Sequence, residues 1–496
     1  MGRELELKLG IAAPDLPLLR RRLARLGAAR IDELHAIYFD TLDGLLARAG
    51  LGLRLRRESG RWVQCLKTAG AGALSLRGEW EAPARMRAGQ PQFDLPALAG
   101  TPLADLLAAR PRARLLPWLE VRVRRESREL DWDGARIELA LDLGTLAAGG
   151  REAEVRELEL EARSGPAHSL VALAMQLAAP GGRARPLALL PLAESKAQRG
   201  ARLRHAQPPA PVPASTAAVR GKLGPRVAAD AALRGVVGRA TQILVANLQA
   251  TLGGDDPESV HQARVAVRRL RAAVRLLDRK AHFPPSLAEE LRWLGAQLGR
   301  VRDAEVLAER CARAWSRQPR TAGAADAEAW SAHLAARARD ARRRLRGQLA
   351  GARTAGLLLA LLAWSEAPPQ GQARLQRLAA RRLDGLLKRI ARAAADWAGA
   401  NAVQRHRVRI LVKRLRYGVD LALPAPGAAH WRAALRGLQE ELGELNDAAV
   451  ARASLRRLRV PGSLIERVAS APEERVRIDS AGRDLAQWLA LRPPWR

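Results

Sequence analysis

The sequence predicts an α+β protein of two domains, a strand-rich N-terminal part closed around a charged interior and an all-helical C-terminal part. Three observations predict it. Segments before residue 205 alternate charged and apolar residues with period two, as strands do. After residue 225, Ala, Leu and Arg dominate, and apolar residues recur at helical spacing with no convincing strand. Between them, residues 206–225 (AQPPAPVPASTAAVRGKLGP) are rich in Pro and Ala and read as a linker of extended backbone. The expected division is 1–205, a linker over 206–225, and 226–496.

Strands are expected at 3–9, 35–40, 51–57, 62–67, 74–82, 119–126, 136–142 and 154–162. Helices are expected at about 15–27, 102–110 and 166–178, and a long helical bundle fills the second half. A chain of 496 residues exceeds one ordinary domain. The net charge of +33 divides into +8 before residue 206 and +25 after it. That excess calls for a polyanionic partner. Cys65 and Cys311 stand alone, which excludes a disulfide framework and fits a reducing compartment. Acids at positions 4 and 6 stand where a secretory signal would be apolar, and the Met-Gly start lacks Ser or Thr at position 6. The longest apolar run, AGLLLALLAW from Ala355, is too short for a bilayer. A soluble cytoplasmic protein without a membrane partner is expected.

The opening strand ELELKLG places Glu4, Glu6 and Lys8 on one face and Leu5, Leu7 and Leu9 on the other. The pattern recurs with Arg54 and Arg56; with Arg122 and Arg124; with Glu138 and Asp142; with Glu157, Glu159 and Glu161; and with Arg77, Glu79 and Glu81. Lys67 ends another strand. Any one of these is ordinarily the wet face of an antiparallel strand. Together, the sorting of Arg and Glu strand by strand sets like charges side by side, which repel unless a counter-ion sits among them. A barrel with a charged interior, enclosing divalent metal and polyphosphate, relieves both signs at once. Carboxylates suit Mg²⁺ shared with phosphates, and Arg and Lys suit phosphate oxygens. Glu4 and Glu6 would hold metal and Lys8 phosphate.

The ELELK motif resembles the ExExK signature of the CYTH domain, the triphosphate tunnel metalloenzymes. The resemblance extends over YFDT (38–41), GLRLRRESGRW (52–62), LK (66–67), residues 137–165 and ESKAQRG (194–200), about residues 1–204 in all. Ala162 and Arg163 depart from the more apolar end of the acidic strand, and the register at Arg122, Arg124 and Arg125 stays open by one residue. The resemblance implies a closed eight-stranded antiparallel β tunnel with flanking helices that binds triphosphate and two divalent ions, Mg²⁺ or Mn²⁺. Family members hydrolyse inorganic triphosphate, thiamine triphosphate or nucleotides, and some cyclise ATP. Carried over by position, Glu4, Glu6, Glu157 and Glu159 would be metal ligands. Lys8, Arg54, Arg56, Lys67, Arg122, Arg124 and Lys196 would contact phosphates, with Glu79, Glu81 and Asp142 completing the acidic wall.

In the second half, His261, Arg264, Arg268, Arg271 and Arg275 fall within one arc of a helix, with Val260, Val267, Leu270, Val274 and Leu277 beside it. His406, Arg409, Lys413 and Arg416 repeat the spacing, and LGRVRDAEVL (298–307) is echoed by LGELNDAAVA (442–451). Offsets of 145 and 144 residues mark an internal duplication. A lone Arg stripe is usually a solvated face, but no acid interrupts this one over 261–275 and it occurs twice, which points to an anion-binding groove. Neither His has ligand residues at metal spacing. Arg302–Asp303 and Asn446–Asp447 would orient the stripe or cap a turn, and the Arg-rich 337–346 reads as a solvated helix face.

These blocks resemble the CHAD domain, the conserved-histidine α-helical domain, over roughly residues 225–490. The resemblance implies two pseudo-symmetric four-helix bundles whose basic surface binds inorganic polyphosphate. His261, Arg264, Arg268, Arg269 and Arg271 match one H-x-x-R-x-x-x-[RK]-R-x-R motif, and His406, Arg409, Lys413, Arg414 and Arg416 the other. The expected protein is a metal-dependent inorganic triphosphatase with a polyphosphate-binding module, cytoplasmic and associated with polyphosphate granules. ATP cyclisation, or hydrolysis of thiamine triphosphate or nucleotides, is the alternative enzyme. A non-catalytic scaffold for polyphosphate or nucleic acid is the alternative of another class. Nucleic acid is the weaker partner, because no recognised binding signature occurs and stacking aromatics are sparse.

Overall fold

The computed structural model describes residues 2–70, 72–110, 112–180, 185–221, 223, 226–316, 324–422, 429–469 and 471–495. Its strands are β1 (Gly2–Gly10), β2 (Arg30–Asp40), β3 (Leu51–Glu58), β4 (Arg61–Thr68), β5 (Leu74–Pro83), β6 (Arg85–Arg87), β7 (Gln90–Gln92), β8 (Leu116–Trp132), β9 (Ala135–Ala148), β10 (Arg151–Ser164) and β11 (Leu190–Pro191). Its helices in the first half are α1 (Leu16–Ala24), α2 (Leu45–Arg48), α3 (Pro102–Ala108), α4 (Ala167–Ala178) and α5 (Lys196–Arg204). The second half is helical: α6 (Thr216–Arg220), α7 (Ala229–Gly253), α8 (Pro257–Ala281), α9 (Pro285–Ser316), α10 (Ala324–Leu349), α11 (Ala352–Glu366), α12 (Leu375–Ala394), α13 (Ala402–Ala422), α14 (Ala429–Arg457), α15 (Gly462–Val468) and α16 (Ala471–Ala490).

The sheet runs β10-β9-β8-β2-β3-β4-β5-β1, and β1 pairs back onto β10, closing eight antiparallel strands into a barrel. Closure leaves these strands no free edge. Tight two-residue turns at Ser59–Gly60, Asp133–Gly134 and Gly149–Gly150, with both residues at positive φ, set the registers of three hairpins. Leu7 and Leu9 are fully buried on the face opposite Glu4 and Lys8, and α4 packs over β1 and β10. The period-two expectation for β1 therefore holds, leucines outward under a helix and charges inward. β8, β9 and β10 run well beyond the expected strands, and β2 starts at Arg30 because its first residues pair with the far end of β8.

The inside of the barrel is not charged throughout. Leu34, Ala36 and Tyr38 of β2, Leu119, Val121 and Val123 of β8, and Leu146 and Ala148 of β9 form an apolar cluster joined by Ala197 and Leu203 of α5. Helix α5 thus lies against one end of the bore, where a Cβ on Gly200 would come within 2.6 Å of Leu119. A Ser195–Gln198 capping box starts this helix.

The chain divides into two compact units. The first holds residues 1–212 together with 241–259 and 347–367, so part of α7 and all of α11 belong with the barrel; α11 packs on α4 and β11. The second holds 213–240, 260–346 and 368–496. Within the stretch 206–225, the Val212 N–H and C=O pair with the Asn247 side chain at 3.0 and 2.8 Å, and α6 follows. Residues 222, 224 and 225 of that stretch lie outside the described residues. Two runs of four long helices, α7–α10 and then α12, α13, α14 and α16, follow the duplication seen in the sequence. Cys311, Trp315, Leu334, Leu455, Leu464 and Ile465 form one core of the second unit. Among the described residues no helix is long and apolar enough to cross a membrane.

Candidate functional site

The bore holds a cavity of ≈ 320 Å³ lined by nine basic and nine acidic side chains. Strand β1 sends in Glu4 and Lys8. Glu4 receives Lys67 at 2.9 Å from β4 and Arg77 at 2.8 Å from β5. Lys67 also reaches Glu79 at 2.7 Å. Glu6, 2% exposed, is tied to Lys8 and to Arg77 at 2.6 Å. Across the barrel, the Lys196 ammonium bonds Asp142 at 2.8 Å, Glu159 at 2.9 Å and Glu157. Arg125 grips Asp142 with two contacts of 2.7 Å and reaches Glu159 at 2.7 Å. Arg56 pairs with Glu81 at 3.1 Å, and Arg54 donates to the Tyr38 hydroxyl at 3.1 Å.

Among the described residues, three groups have ligand atoms within 4.8 Å of one another: Glu4, Glu79 and Glu161; Asp142, Glu157 and Glu159; and Cys65, Glu79 and Glu81. The first two offer only carboxylate oxygens, the donor set that suits a hard divalent cation. The residues present therefore fit such an ion, and they come from four strands, β1, β5, β9 and β10. Electrostatics follow the pairing. Burial works to raise Glu4, but Lys67 and Arg77 outweigh it and hold its carboxyl well below the usual range. Against the same opposition from burial, Lys196 and Arg125 hold Asp142 and Glu159 low. Burial raises Glu6 despite Lys8 and Arg77. Glu161 is pushed up to about 7, first by burial and then by neighbouring Glu4.

The structure corrects the expectation at β8. Arg122, with its side chain 69% exposed, and Arg124 face out of the barrel, where they pair with Glu120 and Glu126. Arg125, 17% exposed, takes the inward position. The reason is the apolar end of the bore: Leu119, Val121 and Val123 face in, so period two brings Arg125 inward too. Lys8, Arg54, Arg56, Lys67, Glu79, Glu81, Asp142, Glu159, Lys196 and Glu4 line the cavity, whereas Glu6 and Glu157 lie behind it in ion pairs. Sequence reasoning left Arg77, Arg125, Glu161 and Tyr38 out of the site. Arg77 was legible, since RGEWE sets it on the face of Glu79 and Glu81. A second chamber of ≈ 170 Å³ shares Lys8, Tyr38, Arg54, Lys67 and Arg77 with the first and adds Phe39 and Trp118.

In the second unit the two duplicated stripes face one another. Tyr417 of α13 is ringed by three guanidiniums, Arg268 at 5.4 Å, Arg269 at 5.5 Å and Arg416 at 5.4 Å from its centroid. Asp303 bonds Arg264 at 2.6 Å and Asp447 bonds Arg409 at 3.4 Å, so equivalent acids of the repeat orient equivalent arginines. His406 bonds Asn446, and His261 is half-buried on α8. Arg302 pairs with Glu305 of its own helix at 3.8 Å. Among the described residues, the buried Nε atoms of Arg268, Arg269, Arg409, Arg414 and Arg416 have no hydrogen-bond partner. Burial, then repulsion among the cations, lowers Arg268, Arg271, Arg409 and Arg414, and pushes Lys413 down to about 7. So many half-buried cations with so few acids make this a strongly electropositive groove.

A closed β tunnel lined with paired acids and bases, followed by a duplicated basic helical module, defines the class. A CYTH domain model matches residues 2–182 and a CHAD domain model matches residues 235–456. The chain joins a CYTH domain to a CHAD domain. CYTH proteins are enzymes of the triphosphatase or cyclase type and generally use divalent metals. A protein of Haemophilus influenzae named inorganic triphosphatase is 30% identical over 175 residues, 34% of this chain and 48% of that protein, so the match spans about half of its length. The CHAD domain from the plant Ricinus communis is 30% identical, covering 57% of this chain and 93% of that one at a TM-score of 0.44. PptA from Streptomyces chartreusis is 18% identical, covering 53% and 98% at a TM-score of 0.42.

Proposed function

We propose that the tunnel hydrolyses inorganic triphosphate to diphosphate and phosphate with a divalent metal, Mg²⁺ or Mn²⁺ and two ions by family precedent. We propose further that the α8/α13 groove binds inorganic polyphosphate. The observation that carries the first reading is the matched set of nine basic and nine acidic side chains around one cavity. With no ligand these groups neutralise one another. A triphosphate takes the cations only if something else takes the carboxylates, so anion and metal are expected to enter as a set. Glu4, Glu79 and Glu161, and Asp142, Glu157 and Glu159, would hold the metal, which supplies Lewis-acid neutralisation of phosphoryl oxygens. Lys8, Lys67, Arg54, Arg77, Arg125 and Lys196 would bind the phosphoryl oxygens and keep the chain of phosphates extended along the bore. Because five of these cations are held by strands and Lys196 by the start of α5, little reorganisation accompanies the reaction.

The polyphosphate reading rests on the partnerless guanidinium nitrogens around Tyr417. On it, the protein is cytoplasmic and associates with polyphosphate granules. A second reading of the tunnel, an organic triphosphate as substrate, is favoured by Tyr38, Phe39 and Trp118 beside the cavity in a chain with so few aromatics. Orthophosphate release from inorganic triphosphate, ATP and thiamine triphosphate, each with Mg²⁺ or Mn²⁺, separates the readings. Preference for inorganic triphosphate supports the first, and preference for ATP or thiamine triphosphate the second. Release from none of them, with polyphosphate still bound, would make the protein a scaffold. Competition between polyphosphate and DNA at one salt concentration tests the groove, and preferential binding of DNA would overturn its assignment.

A further inference from the structure

We infer that Gln249 and Gln242, on a helix from the second half of the sequence, are positioning residues for the tunnel, acting on the backbone around Lys8 and Lys196. The inference rests on the triphosphatase reading for its kinetic consequence but not for its geometry. Lys196 is the cation with three carboxylate partners, and it is the first residue of α5. The chain reaches it through β11, which pairs with β1 over only two residues, Leu9 with Pro191 and Gly10 with Leu190. Leu192 then donates its N–H to the Lys8 carbonyl at 2.9 Å. The next donor, Ala193 N–H, finds Gln249 Oε1 of α7 at 3.0 Å. Without that acceptor this half-buried N–H loses its protein partner just before the capping box that starts α5.

On the other side of Lys8 the contact with α7 is one of packing. The Lys8 N–H donates to the Ala73 carbonyl at 3.1 Å. Its neighbour Gly72 has φ +84, and a Cβ there would lie 2.6 Å from Cγ of Gln242. Gln242 and Gln249 are seven residues apart, two turns of one helix, and so lie on one face of α7. One helix face thus meets both segments that flank the Lys8 backbone, bonding one through Gln249 and packing on the other through Gln242, and both segments line the second chamber through Gly70, Gly72, Ala193 and Ser195. Residues 241–259 belong to the same compact unit as the barrel, so the clamp is part of the tunnel's own fold.

The test uses the full chain with Gln249→Leu, which removes the acceptor at similar size, and Gln249→Glu, which keeps one. Hydrogen exchange at the Ala193 amide and steady-state kinetics on inorganic triphosphate are read together. Gln249→Leu should speed exchange at Ala193 about tenfold and raise KM about five- to tenfold with kcat within about twofold, the scale of one hydrogen bond. Gln249→Glu should restore both. Unchanged Ala193 exchange in Gln249→Leu would overturn the clamp. Faster exchange with unchanged KM, or a proportional loss of kcat that Gln249→Glu does not rescue, would overturn its role in positioning. Absence of triphosphate turnover in the unsubstituted protein would refute the triphosphatase reading instead, and exchange would still decide the clamp.

Discussion

Replacing Lys413 by Met should make the folded protein more stable and, at the same time, a poorer binder of inorganic polyphosphate. Lys413 sits among Arg409 of its own helix, Arg264 and Arg268 of α8, and Asp447 of α14, the one acid among them. Burial, then Arg409 and Arg268, push its ammonium from an ordinary 10.5 down to about 7. The folded state therefore binds fewer protons than the unfolded state between pH 7 and 10.5, and stability rises with pH across that window. Below pH 7 the charged form costs at most ~5 kcal/mol, and on the order of 2 kcal/mol once solvent screening is allowed for. Met keeps the stem and removes that cost, so urea unfolding at pH 6.5 should show a gain of about 2 kcal/mol that shrinks toward pH 10. Polyphosphate reverses the sign, because an anion in the groove raises the Lys413 pKa and binding takes up a proton. Affinity of the native protein should fall as pH rises through 7 at constant ionic strength, while the variant should bind about tenfold more weakly at pH 6.5 and vary less with pH. A variant that is less stable than the native protein at pH 6.5, or that binds polyphosphate equally well, would refute the argument that the groove is strained by its own charge.

Further predictions concern the tunnel. Arg125→Ala should lower kcat/KM on inorganic triphosphate by about 10²-fold or more, whereas Arg122→Ala, on the outer face, should change it less than about twofold. The reverse order would show that the outward assignment at β8 is wrong. Calorimetry should find that Mg²⁺ or Mn²⁺ and a non-hydrolysable triphosphate each bind about tenfold or more tightly in the presence of the other, because each frees the partner of an ion pair. Independent binding would contradict the idea that cavity acids and bases neutralise each other when empty of ligand. In Tyr417→Leu the three guanidiniums lose their shared ring, and polyphosphate affinity should fall by about five- to tenfold while circular dichroism stays helical; unchanged affinity would remove Tyr417 from the groove.

Much of this was legible in the residues. Strands β1, β3, β4 and β5 announce themselves by period two, and in β1 the leucine face is the one buried outside the barrel. The rule that the charged face points inward failed at β8, because α5 lies against one end of the bore and that end is lined by Leu119, Val121 and Val123. Nothing in β8 alone reveals that a helix comes to lie there. The nine-residue α5 has a readable start in Ser195 and Gln198, but it is too short to show a face. The grouping of Glu4 with Glu79 and Glu161 needs the closure of β1 onto both β5 and β10, a long-range fact that no local pattern carries. In the helical half each Arg stripe was visible by spacing. That both stripes share Tyr417 was not, because helical periodicity gives a residue's face but not which helix it meets.

The most direct test of the central claim is orthophosphate release from inorganic triphosphate by the full chain and by Glu4→Gln, with Mg²⁺ or Mn²⁺ present and then chelated. Gln keeps the shape of Glu4 while withdrawing the charge that Lys67 and Arg77 hold at 2.9 and 2.8 Å. Release should need metal and fall by about 10²-fold or more in Glu4→Gln with folding retained. Equal release without metal, or from Glu4→Gln at the same metal concentration, would contradict it.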